Sequence, residues 1–148
     1  MTRALLAAAV MLAVLPVLSA CGEDKEETFA QDYRPLNKQI LALGSDVGEA
    51  ISGARGQDNK ALADEFGKLA QRTGELSQKV DELEPPDDLT ASTDDLVESM
   101  GDAQDALRDI EKAAGDNDPP AARKATIQLV TSSKDLSDSR RKLDQATR

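Results

Sequence analysis

From Phe29 onward, apolar residues recur at alternating steps of four and three. A first run is Phe29, Tyr33, Leu36, Ile40, Leu43, Val47 and Ile51, and a second is Leu62, Phe66, Leu69, Thr73, Leu76, Val80 and Leu83. A third is Leu89, Thr93, Leu96, Met100, Ala103, Leu107, Ile110 and Ala114. Such spacing draws one stripe down one face of an α-helix and is incompatible with the period of two that a strand requires. The fourth run is weaker. Leu129, Leu136 and Leu143 stand a heptad apart, but Ser133 and Arg140 occupy the seam positions between them, and Ala122, Ala125, Ile127 and Val130 thicken the first half. This pattern predicts a fourth helix packed less tightly toward its C-terminal end.

The breaks between runs read as turns. Thr28 and Gln31 have capping-box spacing, predicting that the first helix begins there. Ser52 to Gln57 separates the first two helices, with Asp58 as an N-cap. Pro85-Pro86 ends the second, and Asp87 or Asp88 is expected to cap the third. Gly115 suits the left-handed position after the third helix, and Asp118 followed by Pro119 matches an N-cap with proline at N1. Short connections make neighbouring helices antiparallel, so the expected class is all-α, an up-down-up-down four-helix bundle over residues 28–148. Helices of about 25–28 residues would be roughly 38–42 Å long. The competing arrangement is an extended helical hairpin that self-associates to complete its core. Two tight-turned hairpins in one chain favour closure within the chain.

Ahead of the bundle, Met1-Thr2-Arg3 supplies a positive start and Ala4 to Val17 an apolar stretch. That stretch is shorter than the roughly 20 residues a spanning helix needs, so it reads as a signal peptide over residues 1–20. Leu18-Ser19-Ala20-Cys21 closes it, and Cys21 is the single cysteine of the chain. These residues resemble the lipobox of bacterial lipoproteins. The resemblance implies recognition of Leu18, Ser19, Ala20 and Cys21 by signal peptidase II, cleavage before Cys21, a diacylglycerol on its thiol and, in some members, an acyl group on the new α-amine. Two or three acyl chains exceed what stable anchoring requires. The expected location is the extracytoplasmic face of the cell membrane, with residues 21–27 forming the lipidated cysteine and a short acidic tether, Glu23-Asp24-Lys25-Glu26-Glu27. The Leu83-Glu84-Pro85-Pro86 junction and the Ala/Asp/Arg-rich style also resemble small helical lipoproteins of high-GC Gram-positive bacteria, a likeness that implies no activity.

Charge narrows the partners. Acids outnumber bases 28 to 18, a formal net charge of −10. Nucleic acid demands a basic footprint, and anionic lipid attracts basic segments, so neither fits this surface. Acyl chains would therefore carry membrane attachment. Residues 85–115 hold nine acids and two bases, whereas 116–148 hold five acids and seven bases. Opposite net sign on the third and fourth helices would favour their correct pairing.

Candidate chemistry is sparse. There is no histidine and no tryptophan. Haem ligation would fall to Met100, which lies on the third apolar stripe and reads as core. Di-iron, zinc and copper sites lose their usual ligands. Asp87-Asp88, Asp94-Asp95 and Asp116-Asn117-Asp118 lack the ligand alternation of a calcium loop and read as helix caps and a solvated face. No serine has a histidine base, and carboxylate chemistry needs a cleft that a narrow aliphatic bundle does not announce. The expected function is a non-catalytic interaction or structural module of the cell envelope, with an envelope protein as partner and no cofactor beyond the lipid on Cys21. The alternative is a carrier or sensor of an apolar small molecule bound between helices. Gly44, Gly48, Gly67, Gly74 and Gly101 inside the helices mark either close helix approach, a groove, or tolerated small residues. Ser133 and Arg140 would then form the polar side of such a cavity.

Overall fold

In the computed structural model residues 20–148 are described, with side chains described from residue 25. Four helices follow one another: α1 Ala20–Gly53, α2 Asn59–Asp81, α3 Thr90–Gly115 and α4 Pro119–Ala146. They form the expected four-helix bundle, with α2 against α3, α3 against α4, and α1 closing the ring against α2 and α4. The apolar stripes meet along its axis. Every member of the third stripe is buried, as are Phe29 to Val47 of the first and Phe66 to Val80 of the second. Ile51, Leu62, Leu83 and Leu136 pack half-buried against that core. Phe29 and Tyr33, one turn apart, stack with ring centroids 5.9 Å apart.

Several boundaries differ from expectation. α1 does not begin at Thr28; it runs back to Ala20 through the charged tether, where Lys25, Glu26 and Glu27 are exposed helical residues. Pro35 sits inside that helix on its exposed face. The third helix is not capped by Asp87 or Asp88. Leu89 occupies the N-cap position with no side-chain bond, and the Pro86 carbonyl instead accepts from the backbone N–H groups of Leu89 and Thr90. Pro86 is buried, so the turn is held by packing rather than by a carboxylate. Gly115 remains helical, and the left-handed residue is Asn117 at φ 53°. Asp118 N–H donates to the Ala113 carbonyl at 2.8 Å, closing the helix end around that asparagine. Asp58 and Asp118 do cap α2 and α4, accepting from the N–H groups of Ala61 and Ala121.

The four helices are not equally spaced. α3 packs most closely on its two neighbours, and of the adjacent pairs α1 and α4 pack least closely. Small side chains explain the close pairs. The carboxylate of Glu111 lies over Gly67 and the amide of Gln104 over Gly74, where any Cβ would collide. Across α3 and α4, the Ser99 and Ser139 hydroxyls are 3.1 Å apart and buried. Thr73 and Thr93 turn their hydroxyls back onto the carbonyls of Leu69 and Leu89, which makes them ordinary core residues. Among the described residues no ion pair joins α3 to α4: those of α4 lie within it or join it to Arg148 just beyond, and the one pair that joins helices links Arg72 of α2 to Asp46 of α1.

Candidate functional site

The wide α1–α4 spacing opens a groove along that seam. Its floor is built by Ile40, Leu43 and Val47 of α1, Leu107 of α3, and Leu129 and Leu136 of α4. It encloses about 310 Å³. Gly44 lies on its α1 wall, and a Cβ there would have nothing within 4 Å; the same holds for Gly48 one turn on. Helical glycines therefore fall into two groups that the sequence does not separate. Gly67 and Gly74 admit a neighbouring side chain, whereas Gly44, Gly48 and Gly101 face open space.

Opposite Gly44, Ser133, Ser137 and Arg140 line the groove from α4. The fourth helix leaves its seam positions polar where they meet this space, and it holds Leu136 only half-buried. Arg140 is positioned by a small network at the lower end of the groove. Its Nη1 donates to Asn37 Oδ1 at 3.0 Å, and Asn37 Nδ2 donates to Asp144 Oδ1 at 2.9 Å. Tyr33, fully buried beneath, directs its hydroxyl at the Arg140 carbonyl at 3.5 Å. Burial pushes the Tyr33 phenol up to about 12, the Arg140 charge opposing that rise and Asp144 adding to it.

Ile127 and Val130 do not thicken the core as expected. They are 69% and 60% exposed, and Leu41 on the α1 rim is 52% exposed. A helix has one inward face, and Ala125 and Leu129 already occupy it in the first half of α4. Val130 follows Thr126 by four and precedes Ser133 by three, so it stands on the groove side of α4. A second apolar cavity of about 270 Å³ lies at the far end of the bundle, bounded by Ile51, Leu62, Phe66, Ile110 and Ala122. The sequence signal that pointed to the groove was Gly44 together with the polar seam of α4, whereas Asn37, which holds Arg140 from outside the lining, carried no such signal.

Comparison with known proteins finds no matching family model, no matching curated protein and no matching solved structure. Function therefore rests on the geometry. Of the lipobox-like residues, Leu18 and Ser19 lie outside the described residues, while Ala20 and Cys21 fall in the first turn of α1 with side chains outside the description. The acidic groups sit on the surface: Asp118 is engaged as a cap and Asp116 accepts from Lys112 Nζ at 2.6 Å. Among the described residues, no cluster of three or more metal-ligating side chains forms, and no helix is long and apolar enough to cross a membrane.

Open space at Gly44 and Gly48 has a measurable consequence. Glycine inside a helix costs on the order of 1 kcal/mol relative to alanine, and here nothing obstructs the methyl group. Gly44→Ala with Gly48→Ala is expected to raise the melting temperature by several degrees, read by thermal denaturation followed by circular dichroism. A fall would mean that the seam closes on those glycines in solution.

Proposed function

We propose that this chain is a non-catalytic binding module of the cell envelope, lipid-anchored at Cys21 on the extracytoplasmic face of the membrane, that binds through the α1–α4 groove. The observation that carries the reading is the groove: an apolar floor, Gly44 in its wall, and polar groups gathered on one side. Ligand sites characteristically combine a mostly apolar concavity with a few convergent polar groups. Between a protein and a small apolar molecule as partner, the volume of about 310 Å³ favours the second, because it falls in the range of small-molecule pockets. The lining pairs no nucleophile with a general base, which supports a binding role over a chemical one.

Fractionation and crosslinking in cells test both halves of this reading. Wild-type chain is expected in the membrane fraction with a diacylglycerol on Cys21, read by mass spectrometry of its N-terminal peptide, and Cys21→Ser is expected to carry none and to keep its apolar N-terminal segment. An unmodified Cys21 in the membrane-fraction chain overturns the lipid anchor. Native mass spectrometry of the released chain is expected to show a co-purified small molecule. A reproducibly crosslinked envelope protein, with no bound small molecule, would move the assignment to a protein-interaction module.

A further inference from the structure

We propose that the groove takes a single-chain anionic amphiphile, a long-chain fatty acid, with its carboxylate at Arg140 and its chain laid over the leucine floor toward the far end of the bundle. This rests on the reading of the α1–α4 seam as the binding surface. Three observations converge on that ligand.

The first is shape. The floor spans Ile40 to Val47 of α1, about 10 Å at 1.5 Å per residue, within a volume of about 310 Å³. A space of that length and volume fits an unbranched chain. A second cavity lies beyond that end, where Ile51, one turn after Val47, lines it together with Leu62, Phe66, Ile110 and Ala122.

The second is charge. In a chain with 28 acids and 18 bases, the groove lining carries no carboxylate, and Arg140 is its one ionisable group. An apolar groove with a lone cation selects an anion at that end. The third is preorganisation. The guanidinium is a rigid fork of five N–H donors that matches a carboxylate bidentately. Only one donor is engaged, with Asn37 Oδ1, and Asn37 is itself held by Asp144. Ser133, Ser137 and Arg140 follow at steps of four and three, so both hydroxyls stand on the side of α4 that carries the guanidinium.

The test uses the mature chain, residues 21–148 with Cys21→Ser, which carries neither acyl chains nor the apolar N-terminal segment and needs no detergent that would compete for the groove. It is titrated with oleate and with oleyl alcohol, by native mass spectrometry and by displacement of a fluorescent fatty acid. One oleate per chain is expected. Arg140→Gln should weaken oleate by about tenfold or more, the scale of a lost charged hydrogen-bonded pair, while leaving oleyl alcohol nearly unchanged. Gly44→Leu fills the groove from α1 and should abolish both; Ser133→Phe does so from α4, and thermal melting confirms that each variant is folded. Equal binding of acid and alcohol, with no response to Arg140→Gln, overturns the anionic assignment and leaves the groove as an apolar site. No saturable binding of either probe, or binding unchanged in both filled variants, overturns the amphiphile altogether. The broader reading then stands or falls separately, on whether the same filled variants lose the partner captured in cells.

Discussion

Leu96→Ala is expected to destabilise the bundle by about 2–5 kcal/mol, the range for truncating a buried leucine. Leu96 is 0% exposed and belongs to α3, the helix closest to its neighbours on both sides. Its environment cannot collapse easily. α2 and α4 are already held close to α3 by small residues and by the Ser99–Ser139 contact, so the space left by three deleted carbons stays largely open. The expected drop in melting temperature is on the order of 10 °C, measured by calorimetry or by urea titration with an unchanged slope. Leu41→Ala is the matched control. Leu41 is half exposed at the groove rim, and its truncation should change stability by less than 1 kcal/mol. Similar losses for both leucines would mean that the α1–α4 seam is closed and Leu41 is core.

The second large effect appears at high pH. Tyr33 has no exposed surface, and burial lifts its phenol from 10 to about 12. A folded-state value raised above the unfolded one contributes stability that is fully present below about pH 10 and is lost as pH climbs through about 12. Two pH units correspond to about 2.7 kcal/mol. Wild-type chain should therefore lose about 2–3 kcal/mol between pH 10 and 12, and Tyr33→Phe should lose correspondingly less. At neutral pH the two should differ by no more than about 1 kcal/mol, because the hydroxyl's bond to the Arg140 carbonyl is long at 3.5 Å. Denaturant melts at pH 7, 10 and 12 check this; parallel pH profiles for the two chains would rule out Tyr33 as the source.

How much of the candidate site was legible can be judged from particular residues. Ser133 and Arg140 stood out as polar interruptions of an apolar seam, and the structure places both on one groove. Gly44 and Gly48 stood out as mid-helix glycines, yet so did Gly67 and Gly74, and only the packing separates the two pairs. Asn37 was not legible at all. It is buried and bridges Arg140 to Asp144 from a position more than a hundred residues away, a pairing no local pattern encodes. The Ser99–Ser139 contact between α3 and α4 was likewise not legible, since it joins positions forty residues apart.

By itself, the sequence determined the four helices, the inward faces of the first three and the caps at Asp58 and Asp118. These follow from interactions within a few residues: a stripe repeats with the helical period, and a cap bonds an N–H three positions away. Tertiary structure alone decided that α1 and α4 stand apart, that the groove opens there, and that Ile127 and Val130 face outward. Helix spacing depends on which small residues meet across an interface, and an apolar side chain is buried only if a neighbour is left to cover it.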